Sequence, residues 1–238
     1  MTVEISNNYN ELSIQVSEKI AGYINAMPGT LVCLAAGNTP LGAFRELVAM
    51  QERGEVDLSS VWYAGLDEWI GLGPGDVGSC AQVMNEALYK HISKERIRIF
   101  DGLDSDEEKQ CRDMENWIKS HGGLGFTLLG IGMNGHIGFN EPGASDAEGC
   151  FLVDLDDITK SVSKKYFGKE LPIAKGITIG WRTLFNAGNV VLMASGKEKA
   201  PIVKAALQGP VTPDIPATQF KKHNKLTVML DKDAASLI

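Results

Sequence analysis

Leu31-Val32-Cys33-Leu34-Ala35, running straight into Ala36-Gly37-Asn38-Thr39-Pro40, decides the architecture of this chain. Five consecutive apolar residues are too few for a helix and show no alternation, so they read as a strand covered on both faces. The turn that follows carries one glycine, places Thr39 as an N-cap and Pro40 at the first helical position, and predicts a helix over residues 40–53.

The same unit recurs on both sides. Upstream, Leu12, Val16, Ile20, Tyr23 and Ile24 fall at helical spacing across residues 11–27, and the pattern stops at Pro28-Gly29. Downstream, the pattern predicts strands at 61–66, 97–100, 126–130, 190–194 and 226–230, with helices at 79–92, 105–120 and 197–207. After 126–130, a long irregular segment leads to a further apolar stretch at 176–180. Apolar strands separated by helices predict a three-layer α/β/α sandwich on a mostly parallel, Rossmann-like sheet. No repeat, linker or low-complexity stretch interrupts residues 1–238, so a single domain is expected.

The chain has 238 residues, 44% of them hydrophobic, and a net charge of −7. That balance excludes a general nucleic-acid surface, and the Lys164-Lys165 and Lys221-Lys222 pairs are too short to be basic tracts. A small anion could still be held locally. Residues 1–10 lack the basic start and apolar run of a signal peptide, and no window reaches the roughly 18 apolar residues of a membrane span. A cytoplasmic protein with no membrane contact is expected. Cys33, Cys80, Cys111 and Cys150 form no pair at metal-ligand or redox-motif spacing, which makes them reduced, mostly packing thiols and implies no metal or cofactor.

In parallel sheets ligands collect beyond the carboxyl ends of the strands, and the loops after Ala35, Leu66 and Leu129 all leave at that edge. Each carries chemistry. The amides of the Gly37-Asn38-Thr39 turn, with the positive end of the helix dipole, form an anion cradle. Ser195-Gly196-Lys197-Glu198-Lys199 repeats that junction and adds cations, unless its lysines are simply solvated. In Leu66-Asp67-Glu68-Trp69 neighbouring carboxylates point to opposite faces of an extended chain, so one enters the pocket and the other is structural. Partial burial would raise the pKa of the first and make it a better proton acceptor. Finally, Gly130 to Pro142 sets His136 and Glu141 five residues apart in a glycine-rich loop. Either they are a loop histidine and a capping glutamate, or an acid–base pair at the mouth of a strand. His91, His121 and His223 have no such company.

Taken in order, the Ala36-to-Leu41 turn, Leu66-Asp67-Glu68-Trp69 with Gly71-Leu72, Gly135-His136-Ile137-Gly138-Phe139-Asn140-Glu141-Pro142, and Gly196 to Ala200 resemble the glucosamine-6-phosphate deaminase (isomerase) family and its relatives acting on galactosamine 6-phosphate. The Asp-Glu-Trp triplet, Gly78-Ser79-Cys80 and Ile215-Pro216-Ala217 look closer to the galactosamine branch. The resemblance implies an aldose-to-ketose isomerisation coupled to loss of ammonia. It implies ring opening by His136, proton transfer from C2 to C1 by Asp67, orientation and charge balance of His136 by Glu141, and phosphate binding by Gly37, Asn38, Thr39 and Lys199. Asn134 stands where many members carry Asp, Asn38 where a second glycine is common, and Lys165 where an arginine would contact phosphate; lysine lacks the bidentate fork. The C-terminus is short beside allosterically regulated members, so no effector site is expected. Two rivals share the fold. In a 6-phosphogluconolactonase the histidine motif typically continues Thr-Ala-Ser and an arginine replaces Trp69; a sugar-phosphate-sensing regulator would need a DNA-binding helix pair. The sequence leaves open the gluco or galacto epimer and whether the protein is a monomer or a homo-oligomer.

Overall fold

The computed structural model describes residues 1–143, 148–167 and 171–238, with the side chains of 163–166 outside that description. Seven strands form the main sheet: β1 (Thr2–Ser6), β2 (Leu31–Leu34), β3 (Trp62–Gly65), β5 (Ile97–Arg98), β6 (Leu124–Gly130), β9 (Asn189–Ala194) and β10 (Leu226–Asp231). Their spatial order is β1-β10-β9-β6-β2-β3-β5, and every neighbouring pair is parallel. A smaller antiparallel sheet, ordered β4-β8-β7, joins β4 (Asp67–Trp69), β7 (Cys150–Asp154) and β8 (Lys175–Ile179).

Alternation within the strands builds the three layers. Leu31 and Cys33 pack among Met114 and Ile118 of α4 (Glu107–Ser120), Leu184 of α6 (Trp181–Phe185) and Val203 of α7 (Ala200–Gln208). Val32 and Leu34 face the opposite layer, formed by α1 (Tyr9–Ala26), α2 (Leu41–Glu52) and α3 (Cys80–Ala87). Both faces of the strand leave water, which is why β2 reads as an unbroken apolar run. Among the described residues no helix is long and apolar enough to cross a membrane.

The structure departs from the sequence pattern in several places. β1 is an added edge strand, too short and too exposed for its alternation to stand out. The segment after β6 is not irregular throughout, because it holds β7 and α5 (Asp157–Phe167). The stretch around 176–180 is β8, which pairs antiparallel with β4 and β7 outside the main sheet. And α2 begins at Leu41 with no side-chain cap, so Thr39 is not its N-cap; the Tyr9 hydroxyl accepts from the Gly42 N–H at 2.9 Å and donates to the Thr39 carbonyl at 3.0 Å. Cap chemistry reached across from α1, which a local motif cannot show.

After β2 the chain moves through β3 to β5, then returns to β6 on the other side of β2. The strand order therefore reverses between β2 and β6, and such a reversal leaves a crevice at the carboxyl ends.

Candidate active site

A cleft of about 950 Å³, counted out to its mouth, lies over that reversal. Gly37, Asn38, Thr39, Asp67, His136 and Lys199 all line it, so loops far apart in sequence meet at one place. Asn134 and Glu141 stand behind His136, and the Lys165 side chain lies outside the described residues.

Asp67 and Glu68 divide as an extended chain requires. Glu68 is fully buried: Oε1 accepts from the Trp69 and Cys80 N–H groups at 2.9 Å each, and Oε2 from the Ala81 N–H at 2.8 Å. It thus ties β4 to the first turn of α3, where two of its N–H partners have no acceptor within the helix. Trp69 locks the same strand from the other side, its ring 4.5 Å from that of Phe139. Held by these neighbours, Asp67 presents its half-buried carboxylate to the cleft. Burial pushes its pKa up to about 6, while the Cys80 thiol and the charge of His136 pull it back. A carboxylate raised this far is a usable proton acceptor near neutral pH.

His136 follows the glycine turn that ends β6. Gly135 has a φ of +87°, a left-handed conformation that a side chain would strain, and its own Cβ would collide with Ile215. The imidazole Nδ1 lies 3.0 Å from Thr159 Oγ1 and 3.3 Å from Glu141 Oε2. Asn134 touches the frame of this arrangement, not the imidazole: its Oδ1 accepts from the His136 N–H at 3.2 Å and its Nδ2 donates to Glu141 Oε2 at 2.9 Å. Burial by itself would raise Glu141, but His136, Thr159 and Asn134 outweigh it and hold the carboxyl below its ordinary range.

The ring of His136 lies over Gly132, where an added Cβ would overlap Nε2 and Cδ2. Gly132 is not among the positive-φ glycines, so alanine fits its backbone. Gly132→Ala is expected to keep the fold, push the imidazole aside and lower turnover at least about tenfold, since displacements near 1 Å can cost about 10²-fold. Thermal melting beside steady-state kinetics checks this; wild-type kinetics would show that the ring does not need its present seat.

The two strand-to-helix junctions are not equivalent. Among the described residues no carbonyl or side chain accepts from the amides of Gly37, Asn38 or Thr39. At the second junction the Gly196 N–H donates to the Asp231 carboxylate at 3.1 Å and the Ser195 hydroxyl to the same group at 2.5 Å. A buried carboxylate already fills that cradle, so the expected repeat of the anion site fails there. Lys199 alone reaches the cleft from this segment, and its Nζ donates to the Ile131 carbonyl at 2.6 Å.

Thr159 and Cys80 also line the cleft and were not indicated by the sequence. Thr159 sits in the polar run Asp156-Asp157-Ile158-Thr159-Lys160, where nothing local distinguishes it from a surface threonine.

The profile of the family described as "Glucosamine-6-phosphate isomerases/6-phosphogluconolactonase" matches residues 7–229. Glucosamine-6-phosphate deaminases of Thermoanaerobacter sp. (strain X514) and Halothermothrix orenii are 40% and 36% identical to this chain, over 100% of it and 95% and 100% of their own lengths. A solved structure of a monomeric glucosamine-6-phosphate deaminase aligns at a TM-score of 0.95 and 34% identity, covering both chains fully. A 6-phosphogluconolactonase from Trypanosoma brucei aligns at a TM-score of 0.77 over 99% of this chain and 97% of its own, but at 20% identity this shows the fold alone.

Proposed function

The chain belongs to the glucosamine-6-phosphate isomerase/6-phosphogluconolactonase family, and we propose that within it this protein deaminates a hexosamine 6-phosphate, releasing ketohexose 6-phosphate and ammonia. The observation that carries the reading is the convergence of a raised carboxylate, a carboxylate-backed imidazole and an open amide cradle on one cleft. All three come from one chain, so a monomer suffices.

In this reading the phosphate rests on the amides of Gly37, Asn38 and Thr39, with the Lys199 ammonium nearby, and the sugar extends toward Asp67 and His136. His136 takes the proton of the anomeric hydroxyl and passes it to the ring oxygen, which opens the pyranose to an aldehyde. Only then is the C2 hydrogen acidic. Asp67 removes it while the aldehyde oxygen takes a proton from the substrate's own ammonium group, giving an enolamine, and Asp67 then returns its proton to C1. The product is an imine at C2; water adds to that carbon and ammonia leaves. Glu141 offsets the positive charge that His136 carries during transfer, and Asn134 keeps Glu141 and the His136 backbone in register. No cofactor is needed, because each step moves only protons and water.

Glucosamine 6-phosphate is the first substrate to test, since the similar proteins carry that name. Ammonia release should be measured from glucosamine 6-phosphate and galactosamine 6-phosphate side by side, with 6-phosphogluconolactone hydrolysis as control. Ammonia from at least one amino sugar, with negligible lactone turnover, is expected. Rapid lactone hydrolysis without ammonia from either sugar would overturn the assignment.

A further inference from the structure

We infer that Thr159 is a positioning residue for His136, holding the ring so that Nδ1 stays beside Glu141 and the opposite nitrogen is the one left for the cleft. His136 and Glu141 come from the loop after β6, whereas Thr159 comes from α5, beyond β7. Thr159 is buried, with 3% of its surface exposed, and its Oγ1 lies 3.0 Å from Nδ1 in hydrogen-bonding geometry. The Glu141 carboxylate lies 3.3 Å from the same nitrogen.

These contacts leave one consistent arrangement of protons. A bare Nδ1 would turn its lone pair toward an anionic oxygen, which is repulsive at this range. Nδ1 therefore carries the hydrogen and donates to Thr159 Oγ1. The other oxygen of Glu141 accepts from the Asp156 N–H at 3.3 Å, just before α5. The opposite nitrogen, Nε2, is left without its hydrogen in the neutral ring and is the one available to exchange protons with a ligand. Thr159 thus sets the tautomer in the way a buried partner commonly does for a working histidine.

The catalytic consequence rests on the deaminase reading, but the tautomer can be observed without substrate. Charged groups bearing on His136 are Glu141 from its own loop and Asp67 from β4; Lys199, from the turn before α7, shares the cleft. Two variants separate the hydroxyl from packing. Thr159→Val keeps the shape and removes the hydroxyl; Thr159→Ser keeps the hydroxyl and loses a methyl.

Long-range ¹H–¹⁵N correlation spectra at mildly alkaline pH report both ring nitrogens, with His136→Gln assigning the signals. In the wild type and in Thr159→Ser, Nδ1 is expected to carry the hydrogen. In Thr159→Val the signals should move toward a mixture of tautomers. Turnover in Thr159→Val should fall about tenfold with KM little changed, less than the roughly 10²–10⁴-fold that a whole acid–base group supplies, and Thr159→Ser should recover most of it. An unchanged tautomer in Thr159→Val, or equal damage in the valine and serine variants, would overturn the role. If no amino sugar is deaminated, the deaminase reading falls while the tautomer result still stands.

Discussion

Asp67→Asn is expected to lower kcat/KM for ammonia release by about 10²–10⁴-fold, the range that a positioned acid–base group contributes. Asparagine keeps the shape of the side chain but has no basic oxygen to take the C2 hydrogen. The sign of the pH dependence follows from burial. Because Asp67 is pushed up to about 6, it holds its proton at higher pH than a free aspartate, so wild-type kcat/KM should fall as pH drops through about 6. That limb should disappear from the residual activity of the variant. Stability moves the other way. Between the ordinary aspartate range and pH 6 the native state binds more protons than the unfolded chain, so ionising Asp67 costs stability as pH rises. The asparagine variant should therefore melt no lower than wild type at neutral pH. Full deamination by Asp67→Asn would remove this residue from the assigned step.

Glu68→Ala should be the most damaging substitution for the fold near the cleft. The carboxylate satisfies three N–H groups, from Trp69, Cys80 and Ala81. Leaving a buried donor without a partner costs about 1–3 kcal/mol, so the variant should lose roughly 3 kcal/mol or more. For a chain of this size that corresponds to a fall in Tm of about 6–12 °C. Glu68→Gln, which keeps the volume and two lone-pair directions, should lose less. Differential scanning calorimetry of the three proteins decides the matter, and an alanine variant melting with the wild type would show that the three amides find other partners.

Adjacent residues so alike in sequence thus have opposite duties, and their division was legible in advance. Asp67 and Glu68 follow a strand, and period-two geometry sends one carboxylate each way; that geometry alone did not say which would face the cleft, and only the family resemblance named Asp67. The choice depended on α3 lying where its first amides could take Glu68 inward. The same limit applies to the turn at residues 36–40. Its glycine and proline announce a strand-to-helix junction, yet the helix starts at Leu41 and borrows the Tyr9 hydroxyl. At residues 195–199 a similar-looking junction is already occupied by Asp231, a residue from the following strand. His136, Glu141 and Asn134 could be proposed from eight residues of one loop, whereas Thr159 could not, because it reaches Nδ1 from a helix 23 residues on.

Local composition therefore determined the parallel sheet and its flanking helices, since an apolar run with no polar face has to be covered on both sides wherever it lies in the chain. It also marked the loops that bear reactive groups. Tertiary structure alone decided the small antiparallel sheet, the cap of α2, the filling of one cradle and the partner of the imidazole. Each is a pairing of single polar atoms from segments distant in sequence, and hydrogen bonds of about 3 Å are specified by where those segments pack, which no short stretch of residues encodes.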